Sequence, residues 1–237
     1  MSDSCRPEFD QFSENYEELL ADPIRRRFAP SDSLFFHARK RKVLQDYFRR
    51  RRTDTHALAY LDVGCGKGEL LSLARGDFGR VAGCELSTGM LRASNLCAKG
   101  IDTRQQDDPL HIPFAESEFD LVTAVCVFHH VRPAARPTLL REMRRVLKPE
   151  GTLAVIEHNP YNPVTLLIVS RTQVDVDAIL LRPDETIRLY GEAGLRAEEV
   201  RYFLYVPESL FRQFGRIEAL FSKLPLGGQY VVFGRPA

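Results

Sequence analysis

Eight consecutive residues constrain this chain more than any others: Leu61-Asp62-Val63-Gly64-Cys65-Gly66-Lys67-Gly68. Ala57, Leu58, Ala59, Tyr60, Leu61 and Val63 make an apolar approach to them, with one acid, Asp62, near its end. Such a run reads as a buried parallel strand. Three alternate glycines follow, and then Glu69 to Ala74, which reads as the start of a helix. Strand, glycine turn and helix form the first unit of a nucleotide-binding α/β domain. Glycine suits the turn because it is tight and a ligand must approach the backbone closely.

The spacing separates candidate ligands. Dinucleotide sites use G-x-G-x-x-G, which seats a pyrophosphate on a helix N-terminus. Here the pattern is G-x-G-x-G, and Asp62 stands two residues before the first glycine. A carboxylate there repels a pyrophosphate and suits a ligand with a cationic amino group. S-adenosylmethionine has that group and no phosphate, so the chemistry favours it over NAD. A turn that needed glycine for sterics alone would not lose side-chain packing and backbone entropy at three positions.

Asp62 to Gly68 resembles motif I of the class I S-adenosylmethionine-dependent methyltransferases. The resemblance runs from about residue 57 to about 156, and more loosely to the C-terminus. It implies an α/β, doubly wound, mostly parallel seven-stranded sheet of Rossmann-like type, with an antiparallel last strand. It also implies an N-terminal helical lid over residues 1–56, a cofactor-binding domain over 57–237, and an insertion at about 159–182. In the family, an acid at the end of the second strand accepts hydrogen bonds from the ribose hydroxyls, a role that falls to Glu85. Counting back from Pro113-Phe114, Asp108 matches the acid that accepts from the adenine amino group; Asp107 is the alternative if the loop is offset by one. The resemblance implies a cofactor site made of Asp62, Gly64, Cys65, Gly66, Gly68, Glu85, Leu86, Met90, Asp107, Asp108, Pro109, Val127 and, from the lid, Tyr16.

The rest of the chain agrees in order. Phe9, Phe12, Tyr16, Leu19 and Leu20 recur at helical spacing over residues 8–21, a helix that Pro23 should stop; a second helix spans 33–51. These helices either cover the site or pack on the sheet edge. Strands are expected at 80–85, 101–106, 119–128, 152–156, 195–206 and 230–234. Helices are expected around 139–147, 184–193 and 207–223, and a turn at Lys148-Pro149-Glu150-Gly151. An antiparallel last strand is a second feature that dinucleotide-binding sheets generally lack.

At 237 residues the chain holds one α/β domain and a small appendage. Its net charge of +1 supplies no global field for nucleic acid or membrane. Residues 25–52 do carry eleven Arg and Lys against two Asp. They read as a solvated face, with an anionic substrate group or RNA as competing readings, and acids in residues 1–24 would offset the charge. The five cysteines contain no C-x-x-C pair and read as reduced thiols of a cytoplasmic protein. No signal peptide is expected, and no apolar run approaches the roughly 20 residues of a membrane span.

Strand four runs into His129-His130-Val131, and strand five into Glu157-His158-Asn159, both on the edge where this fold binds ligands. Methyl transfer from a sulfonium needs orientation and desolvation, and a hydroxyl or carbon acceptor also benefits from a base. His129 and His158 are the candidate bases, with Glu157 as a partner; His130 matches a family position often filled by histidine and reads as architectural. The spacing of these groups shows no metal-ligand pattern. The expectation is methyl transfer to an O, N or C atom of a small-molecule acceptor, by a monomer or homodimer. An RNA-modifying enzyme and a non-catalytic cofactor-binding module are the alternatives.

Overall fold

The computed structural model describes residues 19, 22–28 and 33–237. Most of the expected helix at 8–21, with Phe9, Phe12 and Tyr16, lies outside the described residues.

The described elements are α1 (Pro23–Phe28), α2 (Ser33–Arg50), β1 (Ala59–Val63), α3 (Glu69–Ala74), β2 (Arg80–Glu85), α4 (Thr88–Ala93), β3 (Asp102–Gln105), β4 (Phe119–Val125), α5 (Arg136–Val146), β5 (Leu147–His158), α6 (Pro163–Val169), α7 (Pro183–Glu192), β6 (Leu195–Phe203), α8 (Glu208–Glu218) and β7 (Gln229–Pro236). The seven strands form one sheet in the order β3-β2-β1-β4-β5-β7-β6. The first five pair in parallel. β7 inserts antiparallel between β5 and β6. The direction of winding reverses between β1 and β4, so the crevice beyond their carboxyl ends is where this topology places a ligand.

Alternation along β1 sorts its side chains between two cores. Leu61 and Val63 join one face with Phe119, Leu139, Met143 and Tyr190. Tyr60 joins the other with Leu44, Tyr47, Phe78 and Phe233. By the two-residue period, Asp62 shares the Tyr60 face, the one that α2 covers. Tyr47 of α2 stacks on Phe233 of β7 at 3.9 Å between ring centroids, worth about 0.5–1.5 kcal/mol beyond burial. The helix is therefore a layer of the domain.

Two local expectations are corrected, and one helix is added. Pro23 begins α1, because Asp22 Oδ1 accepts from the backbone N–H of Ile24 and Arg25, and proline needs no partner in a first helical turn. The fourth strand ends at Val125, not 128, because Cys126 takes φ 57° and turns the chain into a 3-10 turn, Phe128–His130. Lys148 to Gly151 is part of β5 and not a separate turn. Phe119 pairs with Leu147 and Leu121 with Thr152, so the four residues bulge out of a continuous strand.

The insertion has structure of its own. Asn162 caps α6 by accepting from Thr165 N–H, and Pro163 opens the helix. A 3-10 turn, Gln173–Asp175, then brings the chain back to the loop after β4, where Ile179 N–H donates to His129 O at 2.8 Å.

Candidate active site

The glycine turn has a left-handed backbone at each alternate position, with φ of 71°, 56° and 75° at Gly64, Gly66 and Gly68. The N–H groups of Gly64 and Cys65 both donate to Cys84 O, at 2.8 and 3.0 Å, which ties the turn to β2. A Cβ on Gly64 would stand 2.6 Å from Val127, and one on Gly68 only 2.1 Å from Leu96. A Cβ on Gly66 would meet nothing within 4 Å. Packing thus requires the outer two glycines, while the middle one faces open space. Cys65 is buried, beside Gly83 of β2.

Two acids flank that space. Asp62 is 3% exposed, and its Oδ1 accepts from the Thr123 hydroxyl, which sits 2.9 Å from the hydroxyl of Tyr60. Burial pushes the Asp62 carboxyl up to about 7, against the opposing effects of the Thr123 hydrogen bond and the charge of Lys40. Glu85, at the end of β2, accepts Gly66 N–H on Oε2 and Ser87 N–H on Oε1, each at 2.9 Å. It holds the glycine turn against the start of α4.

Lys40 of α2 completes this end of the site. It is 6% exposed, and its ammonium makes no hydrogen bond or ion pair with a described residue. Its charge acts on Asp62, Cys126 and His158. Lys40 belongs to the basic run 25–52 that is expected to form a solvated face. The available signal was its spacing with Val43, Leu44 and Tyr47, which puts it on the apolar stripe of the helix.

Beyond Glu85, Leu86 is half-buried and Met90 is buried, with its N–H capped by Ser87 Oγ. Asp107, Asp108 and Pro109 are exposed on the loop after β3. Asp108 Oδ1 accepts Leu110 N–H, a turn-forming bond that leaves Oδ2 free of that contact. Pro109 has no N–H, so it offers a ring only van der Waals contact. Tyr16 lies outside the described residues.

A cluster of histidines and acids occupies the carboxyl ends of β4 and β5. Glu157 Oε1 accepts Phe128 N–H at 2.7 Å, and its Oε2 lies 2.5 Å from His129 Nδ1. On the other side of the ring, His129 Nε2 is 3.4 Å from Asp175 of the insertion. Asp175 is also 3.6 Å from His130 Nε2. The ring of His158 sits 5.2 Å from that of His129. Arg136, 1% exposed, fastens the loop: its Nε donates to Phe128 O and Val131 O, Nη2 to Ile179 O, and Nη1 to Glu185.

The sequence reading treats His129 and His158 as equivalent bases, but their surroundings separate them. Burial opposes a charge on His129, yet the Glu157 charge and the hydrogen bonds to Asp175 and Glu157 outweigh it and push the imidazole up to about 10. It is a cation at neutral pH and already holds the proton a base would take. Burial and the His129 charge push His158 and His130 down to about 4, so both are neutral. Arg136 is not anticipated from the sequence, and Asp175 only as a residue of the insertion, not as a partner of the histidines. Asp175 is 46 residues from His129 with no motif linking them, whereas Arg136 shares the apolar stripe of Leu139, Leu140 and Met143.

Sheet order, glycine turn and flanking acids together define the class I S-adenosylmethionine-dependent methyltransferase fold. Residues 61–155 match the family model described as a methyltransferase domain. The chain is 34% identical over 113 residues to 2-phytyl-1,4-naphtoquinone methyltransferase of Synechococcus elongatus, covering 44% of this chain and 48% of that one. It is 30% identical over 158 residues to methyltransferase GfsG of Streptomyces halstedii, covering 63% and 55%. The chain thus spans about half the length of these curated relatives. Among solved structures, a SAM-dependent methyltransferase of Thermotoga maritima superposes with a TM-score of 0.66 at 17% identity, over 97% of this chain and 98% of that one. Magnesium protoporphyrin IX methyltransferase of Synechocystis, with bound SAH, gives 0.65 at 12%, over 97% and 96%. At these identities the superpositions establish the fold.

Proposed function

We propose that this chain binds S-adenosylmethionine and transfers its methyl group to an O, N or C atom of a small-molecule acceptor. The observation that carries the reading is a pair of buried residues, Asp62 and Lys40, whose charges act on one another on the sheet face that α2 covers. The amino-acid end of the cofactor is a zwitterion. Asp62 would hold its ammonium and Lys40 its carboxylate, and a dinucleotide has no ammonium group for Asp62 to hold. Glu85 would accept from the ribose hydroxyls and Asp108 from the adenine amino group. When bound, the cofactor supplies an electrophilic methyl on a sulfonium sulfur. The chain's own residues would orient the acceptor and exclude water, with His158 a neutral imidazole at the carboxyl end of β5.

Two observations support a small acceptor. The curated relatives include a naphthoquinone methyltransferase and demethylmenaquinone methyltransferases. The basic run is largely engaged by acids of the same chain: Arg39 with Glu218, Arg41 with Asp77, Lys42 and Arg49 with Asp46, and Arg50 and Arg51 with Glu199 and Glu198. That leaves less charge for a polyanion than the sequence suggests. No described helix is long and apolar enough to cross a membrane. The four described cysteines are free thiols, which supports a reducing, cytoplasmic setting.

The test is calorimetric titration with S-adenosylmethionine, S-adenosylhomocysteine and NADH. Micromolar binding of the two sulfur ligands and none of NADH is expected, followed by methyl transfer from labelled donor to a panel of small phenols, enols and amines. Binding of NADH alone overturns the reading.

A further inference from the structure

The cluster beyond β4 and β5 has more ligand chemistry than an ion-pair network needs. His129, His158 and Asp175 each present a ligand atom, and these atoms lie within 4.8 Å of one another. They arrive from three segments: the turn after β4, the end of β5 and the insertion. Two nitrogens and one carboxylate oxygen form a common donor set for a divalent first-row metal.

Two further features fit an ion. His129 is gripped from behind, because Glu157 holds its Nδ1 at 2.5 Å while Nε2 faces Asp175. A carboxylate on the far nitrogen fixes the tautomer and raises the basicity of a metal-binding histidine. His158, for its part, makes no side-chain hydrogen bond with a described residue, so its nitrogens are uncommitted. His158 and Asp175 are only partly buried, which gives an ion a way in.

We infer that His129 Nε2, His158 and Asp175 bind one divalent transition-metal ion of the zinc class, with Glu157 as the outer carboxylate that orients His129. Sequence spacing shows no such site because no two of its ligands share a short motif. Three protein ligands leave a coordination position open. On the methyltransferase reading, on which this clause rests, that position selects an acceptor with a phenolic or enolic hydroxyl. Coordination acidifies the hydroxyl, and its proton leaves to bulk water.

The experiment uses the full chain after chelation and dialysis, with Co2+ as the probe. Saturable uptake of one equivalent is expected, with the intense visible absorption of a four- or five-coordinate site, reversed by Zn2+. His158→Ala and Asp175→Asn should each weaken Co2+ binding at least tenfold, and Glu157→Gln about 10–100-fold. His56→Ala and Cys97→Ser, at exposed positions, should leave it unchanged. Thermal unfolding establishes that each variant is folded, and the wild-type titration alone decides the matter if one is not. No saturable Co2+ uptake by the wild-type chain, or uptake unchanged in folded His158→Ala and Asp175→Asn, overturns the site. S-adenosylhomocysteine binding by the chelated protein is measured in parallel. Its failure beside normal Co2+ uptake strikes the methyltransferase reading alone, and the reverse result strikes the metal site alone.

Discussion

The Thr123 hydroxyl donates to Asp62 Oδ1 across 2.5 Å, and it makes the one hydrogen bond that the Asp62 carboxylate receives from a described side chain. A buried carboxylate with one donor is poorly compensated, which is why its carboxyl stands at about 7 and not 3.8. A raised folded pKa favours the protonated form. The associated stability is present below about pH 4 and is lost as pH rises through about 7, an effect of up to about 4 kcal/mol. Asp62→Asn retains an acceptor for Thr123 and carries no charge. At pH 8, without ligand, it should melt about 2–8 °C above the wild type, and at pH 4 the difference should vanish. The same variant should lose at least 100-fold in affinity for S-adenosylmethionine. Differential scanning fluorimetry at the two pH values and calorimetry make the check. A variant that is less stable at pH 8 would mean that the carboxylate serves the fold and not the ligand.

Lys40 presents the matching case with opposite sign. Lys40 is 6% exposed and its ammonium has no described partner, and a largely desolvated charge is costly unless a ligand pairs with it. Lys40→Met keeps the aliphatic length and removes the charge. The ligand-free protein should then be more stable, while affinity for S-adenosylhomocysteine should fall by about 1.5–3 kcal/mol, or roughly 10–150-fold. Decarboxylated S-adenosylmethionine has no carboxylate to lose, so it should bind variant and wild type alike. Equal weakening of both ligands would assign Lys40 to packing.

The strands and the glycine turn were legible in the sequence because both are local signals. A run such as Tyr60 to Gly68 carries its own periodicity, and the three alternate glycines report a backbone that other residues avoid. Long-range partners leave weaker traces. Lys40 and Arg136 each occupy the apolar stripe of a helix, at i, i+3, i+4 and i+7 from core residues, so a charge out of pattern was visible without its purpose. Asp175 left no trace, because its position depends on how residues 159–182 fold back over β4. The register of β5 at Lys148 to Gly151 was equally hidden. Proline and glycine in that order ordinarily signal a turn, and the return of Thr152 to the ladder is set by β4.

Arg136 joins the loop that carries His129 to the insertion that carries Asp175. Removing the guanidinium would strand Phe128 O, Val131 O and Ile179 O and leave Glu185 without its ion pair. Arg136→Met should destabilise the protein by about 3–5 kcal/mol. Arg136→Lys should recover only part of that loss, since an ammonium cannot reproduce the planar fork. Hydrogen exchange gives the more specific readout. The Ile179 amide, bonded to His129 O at 2.8 Å, should exchange much faster in both variants, while amides at the centre of β1 should change only in step with global stability. Unchanged protection at Ile179 would show that the insertion is held by other contacts.

The two glycines at 66 and 68 should fail in different ways, although they share a motif and a left-handed backbone. Alanine at Gly68 would place a methyl carbon 2.1 Å from a Leu96 side chain that is itself fully buried, at a φ of 75°. Overpacking and backbone strain add, so Gly68→Ala should cost about 2–5 kcal/mol in stability. Alanine at Gly66 meets no atom within 4 Å and bears only the left-handed backbone, so it should cost about 1–2 kcal/mol. Its methyl would project into the space assigned to the cofactor. Gly66→Ala should therefore stay folded and lose most of its affinity for S-adenosylmethionine, whereas Gly68→Ala should lose stability first. Urea unfolding of both variants, with calorimetry on whichever remains folded, tests the assignment. Normal cofactor affinity in a folded Gly66→Ala protein would mean that the open side of the turn is not where the ligand lies.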